Sequence, residues 1–436
     1  ARELLLKRPK IFRRPLLFEE PFTKLNMATN LFIAEGHIWS KIRRLTSPQF
    51  SHFNTKLMLN RVIEEAQVLV NSFATDGNTI ISIDKDLNMY TSRVIGRVAL
   101  GMSPNDKNEY FASIHIFNDI KKLLKYALER SLYMLPAWSW FYSSMYYTEI
   151  EALNSAKVID THCLKHIKRI KDQLDAKTNT NDTSNDSTTD KLSFLEILLK
   201  NNEKAVREGK EGITGTELIE NVKLLFIAGS ETTSTTLTWT TYYLATRNDC
   251  LVLMREELDR VCGIGEYVKN YEQYCQLKYT HAFVKETMRL KSPAAFIGLE
   301  LVRGEGSMEY TCTTNGMHIS GNDTIFIDID GCLLDPDVYE DPTHFNPERW
   351  LPIGFRDNDP TIPIESPTSE RIMKMEHNFL VFGSGPRLCP GMELAYMEAV
   401  IGITSIVTHV NIQLACPKEE ISRILKFTAA PNKMPM

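Results

Sequence analysis

Cys389 lies two residues after Arg387 and two before Gly391, where a Gly/Pro-rich stretch meets an apolar-periodic segment, in FLVFGSGPRLCPGMELAYMEAV, Phe379 to Val400. The reactive form of cysteine is the thiolate, and unpaired N–H groups at a helix start together with a nearby guanidinium stabilise it. The pattern predicts a helix with Cys389 at its N-terminus and Arg387 as a second positive charge. Gly385 and Gly391 would let a flat ligand approach the backbone. Such a thiolate serves as a nucleophile or as a metal ligand. The first use needs a base, and His377 is the nearest histidine in the chain. The plain alternative is a buried structural thiol, since unpaired cysteine is among the most buried residue types.

Three other segments carry chemistry-bearing residues at telling spacings. In AGSETT, Ala228 to Thr233, a mid-helix threonine can bond back to the carbonyl four residues earlier, which for Thr232 belongs to Ala228. With Gly229 weakening the same turn, the helix is expected to loosen there and open a small cavity beside Thr232 and Glu231. Taken alone, the segment reads as a buried helix with packed threonines. Glu286 and Arg289 share one helix face at i and i+3, a spacing that by itself commonly gives a surface ion pair. Trp39 and Arg43 in GHIWSKIRR are four apart on one face. An indole N–H and a guanidinium so placed can bind one carboxylate, or simply be a core tryptophan with a solvated arginine.

These residues need long helices, and the chain has material for them. Its 436 residues are 43% hydrophobic and 24% charged, an ordinary globular composition. A net charge of -5 gives no reason to expect nucleic acid as a partner. The eight cysteines form no CxxC pair and no cluster of zinc or disulfide type, and read as thiols of a reducing compartment. No run approaches the roughly 18 apolar residues that span a bilayer. Residues 1 to 175 are mostly helical in pattern. Ala176 to Lys191, AKTNTNDTSNDSTTDK, is expected to be a flexible polar loop. A helix is predicted from Thr214 to Arg247, with Thr214 and Glu217 spaced as a capping box. Another runs through YTHAFVKETMRLK and stops before Pro293. Between Met308 and Gly331, Asn315-Gly316 predicts a hairpin turn and TIFIDID alternates at period two. The expected fold class is mainly α with a smaller β portion.

FGSGPRLCPG resembles the haem-binding loop of the cytochrome P-450 superfamily, F-x-x-G-x-R-x-C-x-G, at Phe382, Gly385, Arg387, Cys389 and Gly391. AGSETT resembles the family's oxygen-activation motif. Glu286 and Arg289 resemble its E-x-x-R pair, with Arg349 in FNPERW as partner, and Trp39 with Arg43 resembles its W-x-x-x-R. The resemblance spans nearly the whole chain and is to the eukaryotic microsomal type. It implies a single haem domain over residues 1–436, in place of the several domains that length suggests. It further implies that strands and any membrane anchor precede Ala1, and that the last β segment is clipped near Met436.

By this resemblance the cofactor is heme b, iron protoporphyrin IX, with an axial thiolate from Cys389. Glu231 and Thr232 would deliver protons to bound dioxygen. Ala228, Thr233, Phe296 and Ile297 would line the pocket, Trp39 and Arg43 would hold a propionate, and Glu286, Arg289 and Arg349 would form a buried structural triad. The implied partners are a small lipophilic substrate, O2 and an NADPH-dependent flavoprotein reductase, since no G-x-G-x-x-G fingerprint follows a strand here. The implied location is the cytosolic face of the endoplasmic reticulum membrane. A peroxide-rearranging enzyme and a non-catalytic haem-binding protein are the competing expectations. Two positions depart from the family: Leu299 stands where many members carry a basic residue for a propionate, and Leu333-Leu334-Asp335-Pro336 replaces the usual H-R-D-P.

Overall fold

The helix Gly215–Thr246 begins as its capping box requires. Thr214 Oγ1 accepts from the Glu217 N–H at 3.2 Å, and the Glu217 carboxylate accepts from the Thr214 N–H at 2.8 Å. Ser193 and Glu196 form the same reciprocal pair at the start of Phe194–Arg207. The computed structural model describes residues 1–73, 81–102, 118–127, 129–130, 143–179, 192–302, 309–321, 323–352, 369–425 and 428–436. Of the expected loop at 176–191, Ala176 to Asn179 end the helix Ser143–Asn179, and the remainder lies outside the described residues. Helices dominate, with small antiparallel sheets, as the mainly α reading requires. Among the described residues, no helix is long and apolar enough to cross a membrane.

The chain forms two compact bodies, both interleaved in sequence. One comprises Arg13–Arg61 and Thr91–Ser230. It contains the helices Gly36–Thr46 and Phe194–Arg207 and the first half of Gly215–Thr246. Two buried lysines tie it together. Lys41 Nζ lies 2.7 Å from Glu217 and 2.9 Å from Glu211. Lys223 Nζ meets Asp160 at 2.7 Å and the Asn26 and Leu25 carbonyls at 2.8 and 3.2 Å. Each ammonium is surrounded by acceptors, the condition on which a charge can be buried.

The other body comprises Ala1–Phe12, Val62–Tyr90 and Glu231–Met436. The helix Lys278–Leu290 lies within it, against Met392–His409 and the short 3-10 turn Pro347–Trp350. Its start is capped from a neighbouring helix. Glu257, on Asn248–Cys262, accepts from the N–H groups of Tyr279 and Thr280 at 2.7 and 2.9 Å and from the Thr280 hydroxyl at 2.8 Å. Met392–His409 is apolar over most of its surface, with Val400, Ile401, Ile403 and Ile406 buried, as an interior helix must be.

Strand Phe296–Leu301 pairs antiparallel with Thr324–Asp328, from Phe296 opposite Asp328 to Glu300 opposite Thr324. The alternation in TIFID turns Ile327 into the core and leaves Phe326 exposed. Leu299 is fully buried in the same core with Leu5 and Phe12, so that position serves packing here.

Glu309–Thr311 and His318–Ser320 form the expected hairpin. Gly316 takes φ +68° and its N–H donates to the Cys312 carbonyl at 2.9 Å. Asn315 is not among the residues at positive φ, so the connection is wider than the two-residue turn that Asn-Gly predicts. The carboxylate of Glu3 braces this wider turn. It accepts from the N–H groups of Thr313 and Thr314 at 2.7 and 3.0 Å, from their two hydroxyls, and from the Tyr310 hydroxyl at 2.7 Å.

These hydrogen bonds, led by the Thr314 hydroxyl, hold the Glu3 carboxyl well below its ordinary pKa of 4.5. A depressed pKa in the folded state stabilises fully above the unfolded value and is lost as pH falls through the folded one. Amide exchange at Thr313 and Thr314 should therefore be protected to a constant degree above about pH 4.5 and lose protection below it. In Glu3→Gln that protection should be lower throughout and nearly independent of pH.

Candidate active site

The segment Leu380 to Gly391 folds as a tight loop, and backbone hydrogen bonds set its shape. The Gly383 N–H donates to the Leu380 carbonyl at 2.9 Å, Leu388 N–H to Gly385 at 3.0 Å, and Cys389 N–H to Phe382 at 2.9 Å. Gly383 and Gly385 have φ of +76° and +71°, where a side chain is strained. A Cβ on Gly385 would also come within 3.0 Å of the Leu5 carbonyl oxygen. Gly385 is thus required by backbone conformation and by the approach of the N-terminal helix Arg2–Leu6, a reason different from room for a flat ligand. The Phe382 ring packs on Tyr396 at 5.4 Å between centroids.

Cys389 stands at the end of this loop and is exposed, whereas the other seven cysteines are buried or half-buried. Burial pushes the Cys163 thiol up to about 12 and raises those of Cys250 and Cys312. Those cysteines remain thiols; an accessible sulfur in a backbone-fixed loop is a different chemical object. The helix after it begins at Met392 with Gly391 as N-cap, so Cys389 precedes the helix start by three residues. It is presented by the loop, and the field of the helix reaches it from a distance. Arg387 is half-buried two residues before it.

In the same body, Glu286, Arg289 and Arg349 are brought together. The Glu286 carboxylate, fully buried, accepts from Arg289 Nε and Nη2 at 2.9 and 2.8 Å and from Arg349 Nε at 3.0 Å. It also takes the Trp350 indole N–H at 2.9 Å and the Asn346 N–H at 3.0 Å. Arg289 spends Nη1 on the carbonyls of Leu333 and Pro342, and Arg349 spends Nη1 on that of Glu340. The departure at Leu333 does not disturb the network, because Arg289 uses the main chain there.

Glu231 is buried, and its Oε1 accepts from the Thr428 hydroxyl at 3.3 Å. Thr428 Oγ1 also lies 2.9 Å from Thr235 Oγ1. No sequence signal links Thr428, nearly 200 positions away, to Glu231. Thr232 beside it is half-buried. Thr233, read as a pocket wall, is buried. Phe296 and Ile297 are half-buried, and the Ile297 Cδ1 approaches Gly383.

Trp39, Arg43 and Ala228 belong to the other body. Trp39 is buried with Ala34 and Ile42, Arg43 is half-buried on the same helix, and Ala228 is exposed on Gly215–Thr246. Gly229 is needed for packing, since a Cβ there would lie 2.3 Å from Ile95 Cδ1. The helix is α-helical from Gly215 to Thr246, so the expected loosened turn is not present.

With an accessible thiol on a rigid loop, a buried carboxyl beside a hydroxyl on a long helix, and an ionic network supporting the loop's body, the donor set fits a haem bound through sulfur. Comparison with known proteins agrees. The cytochrome P-450 family model matches residues 1–434. Cytochrome P-450 CYP13A4 of Caenorhabditis elegans is 26% identical, covering 94% of this chain and 77% of the relative. Cytochrome P-450 6A1 of Musca domestica is 26% identical over 90% of this chain and 71% of its own. Cytochrome P-450 3A27 of Oncorhynchus mykiss is 24% identical, with 90% and 70% covered. The fold and these likenesses define a haem-thiolate oxidoreductase. The chain belongs to the cytochrome P-450 family, whose members are monooxygenases carrying iron protoporphyrin IX with a cysteine as axial ligand.

Glu286→Ala would leave two buried guanidiniums without their common acceptor, a loss on the order of 3–5 kcal/mol. The variant should melt well below the parent and retain less haem per chain after gel filtration, whereas an exposed-carboxylate control such as Glu203→Ala should match the parent.

Proposed function

We propose that this chain is a monooxygenase that inserts one oxygen atom of O2 into a small lipophilic substrate, with Cys389 as the axial ligand. The observation that carries the assignment is the placing of Cys389 on a loop whose shape is set by two positive-φ glycines and the Cys389-to-Phe382 hydrogen bond. When bound, the haem supplies activation of dioxygen and oxygen insertion, with thiolate donation favouring O–O cleavage. The protein supplies position, polarity and exclusion of water.

In this reading Cys389 binds through Sγ, and Arg387 lends positive charge beside the loop. Glu231 is assigned to proton delivery from a buried setting, with the Thr232 hydroxyl passing the proton onward. The assignment draws support from the hydrogen bond that holds Glu231 to Thr428, since proton transfer needs a donor of fixed position. Trp39 and Arg43 are assigned to a propionate on their family motif, together with Ala228, Phe382, Gly385 and Gly391 as cofactor contacts. Electrons are assigned to a separate NADPH-dependent flavoprotein reductase.

Cys389→Ala should abolish the red-shifted carbon monoxide complex of ferrous thiolate haem; persistence of that band would reject Cys389 as the ligand. Thr232→Ala, with a reductase present, should divert several-fold more of the consumed NADPH into hydrogen peroxide. A peroxide fraction equal to the parent's would remove the proton-relay role from Thr232. NADPH consumption tied to substrate would also exclude a peroxide-rearranging enzyme.

A further inference from the structure

Beyond the residues assigned above, one lysine beside the Glu286 network has no stated part. The side chain of Lys285, on Lys278–Leu290, is 17% exposed and pairs with the Glu376 carboxylate. Its Nζ lies over the Trp350 ring at 4.5 Å from the centroid and over the Phe379 ring at 5.1 Å. Those two rings meet edge to face, with centroids 5.3 Å apart and planes inclined at 79°, so the ammonium sits in the corner between them.

A lysine–carboxylate pair at the surface contributes little. Two ring faces and the burial of the lysine set this pair apart. Lys41 and Lys223 are each met by two or more oxygen acceptors, whereas Lys285 meets one carboxylate and two aromatic faces. Ring faces attract a cation most strongly where water is excluded. Burial lowers the pKa of the ammonium and Glu376 opposes the shift, so the seat costs desolvation that its contacts must offset.

The three partners link Lys285 to the Glu286 network on one side and to the cysteine loop on the other. Trp350 gives its indole N–H to Glu286, the next residue on the helix, so one side chain answers to both. Glu376 lies on the helix Glu370–Asn378, which ends where the loop begins, and its main-chain carbonyl accepts from the Phe379 N–H at 3.3 Å. Lys285, Glu376 and Phe379 thus close a ring of contacts at the first residue of the segment Phe379 to Gly391. The Tyr339 hydroxyl holds the preceding turn, donating to the Met375 carbonyl at 3.2 Å. We propose that Lys285 is a positioning residue, which through Glu376, Trp350 and Phe379 fixes the point where the Cys389 loop leaves its helix and so couples the Glu286 network to the placing of the sulfur. This rests on the reading of Cys389 as the axial ligand.

The test compares the full chain with haem to Lys285→Met, Lys285→Arg and Glu376→Gln. Amide hydrogen exchange is read at Gly383, Leu388 and Cys389, whose N–H groups make the loop's hydrogen bonds, and at Tyr279 and Thr280, which Glu257 holds at the start of the lysine's own helix. Lys285→Met keeps the stem and removes the charge. Protection at the three loop amides should fall about tenfold, with Tyr279 and Thr280 within about twofold of the parent. The share of the ferrous carbon monoxide complex showing the red-shifted thiolate band should fall as well. Lys285→Arg carries a charge that also stacks on aromatic faces, and should keep both readouts within about twofold of the parent. Glu376→Gln should lower loop protection about threefold.

Equal losses at the loop and at Tyr279 and Thr280 would show a general loss of stability, and unchanged loop protection in Lys285→Met would show an idle ion pair. Either overturns the proposal, as does a Lys285→Arg variant that behaves like Lys285→Met. Should Lys285→Met fail to fold, Glu376→Gln decides, since it removes the lysine's charged partner at an exposed position with the shape kept; loop protection equal to the parent's then rejects the inference. A parent without the thiolate band rejects the Cys389 reading and the role of Lys285 with it. A parent with the band, and variants whose loop exchanges as the parent's does, reject the inference alone.

Discussion

The Glu286 carboxylate is the point on which the body containing Cys389 depends. One buried acid receives two arginines, an indole N–H and a main-chain N–H. Removing three charged groups from water is expensive, and mutual attraction repays it only when nearly every donor finds an acceptor. Here the remaining guanidinium N–H groups reach the carbonyls of Leu333, Glu340, Pro342 and His344. The network fastens an irregular stretch, which has little ladder hydrogen bonding of its own, to the helix Lys278–Leu290. Arg371 extends the connection by donating to the carbonyls of Arg349 and Leu351. Specific geometry, more than net energy, is what such a cluster provides.

The cysteine loop shows the same economy in backbone form. The position of Cys389 comes from the chain on either side of it. Two left-handed glycines and three main-chain hydrogen bonds supply that constraint, and the N-terminal helix abuts Gly385 closely enough to exclude a methyl group. The helix at Met392 then starts after the cysteine, leaving the sulfur outside the helical cylinder.

What could be read from the sequence is what depends on neighbours in the chain. The box at Thr214 and Glu217, the i,i+3 pairing of Glu286 with Arg289, the stop before Pro293 and the strand alternation in TIFID all lie within a few residues and needed no tertiary knowledge. Contacts between distant segments were invisible. Glu3 on the Tyr310–Thr314 turn, Glu257 at the start of the next helix but one, and Thr428 on Glu231 each join a side chain to a partner that no spacing rule selects. The same limit hid what packs against two glycines: Ile95 lies against Gly229, and the Leu5 carbonyl lies against Gly385.

The threonine-rich run after Glu231 sorts itself by where each hydroxyl goes. Thr236, Thr238, Thr240 and Thr241 bond back to the carbonyl four residues earlier, within 2.8 to 3.1 Å. Such bonds satisfy a buried hydroxyl without any outside partner, and the helix runs on unbroken through all four. Back-bonding alone therefore does not open this helix. Thr235 acts otherwise, its hydroxyl lying 2.9 Å from that of Thr428 on another segment. A hydroxyl that leaves its own helix costs an ordered partner at the far end, and here Thr428 serves both Thr235 and Glu231, on either side of Thr232. The helix is tied there to the segment carrying Thr428, whereas farther along its hydroxyls turn back on their own helix.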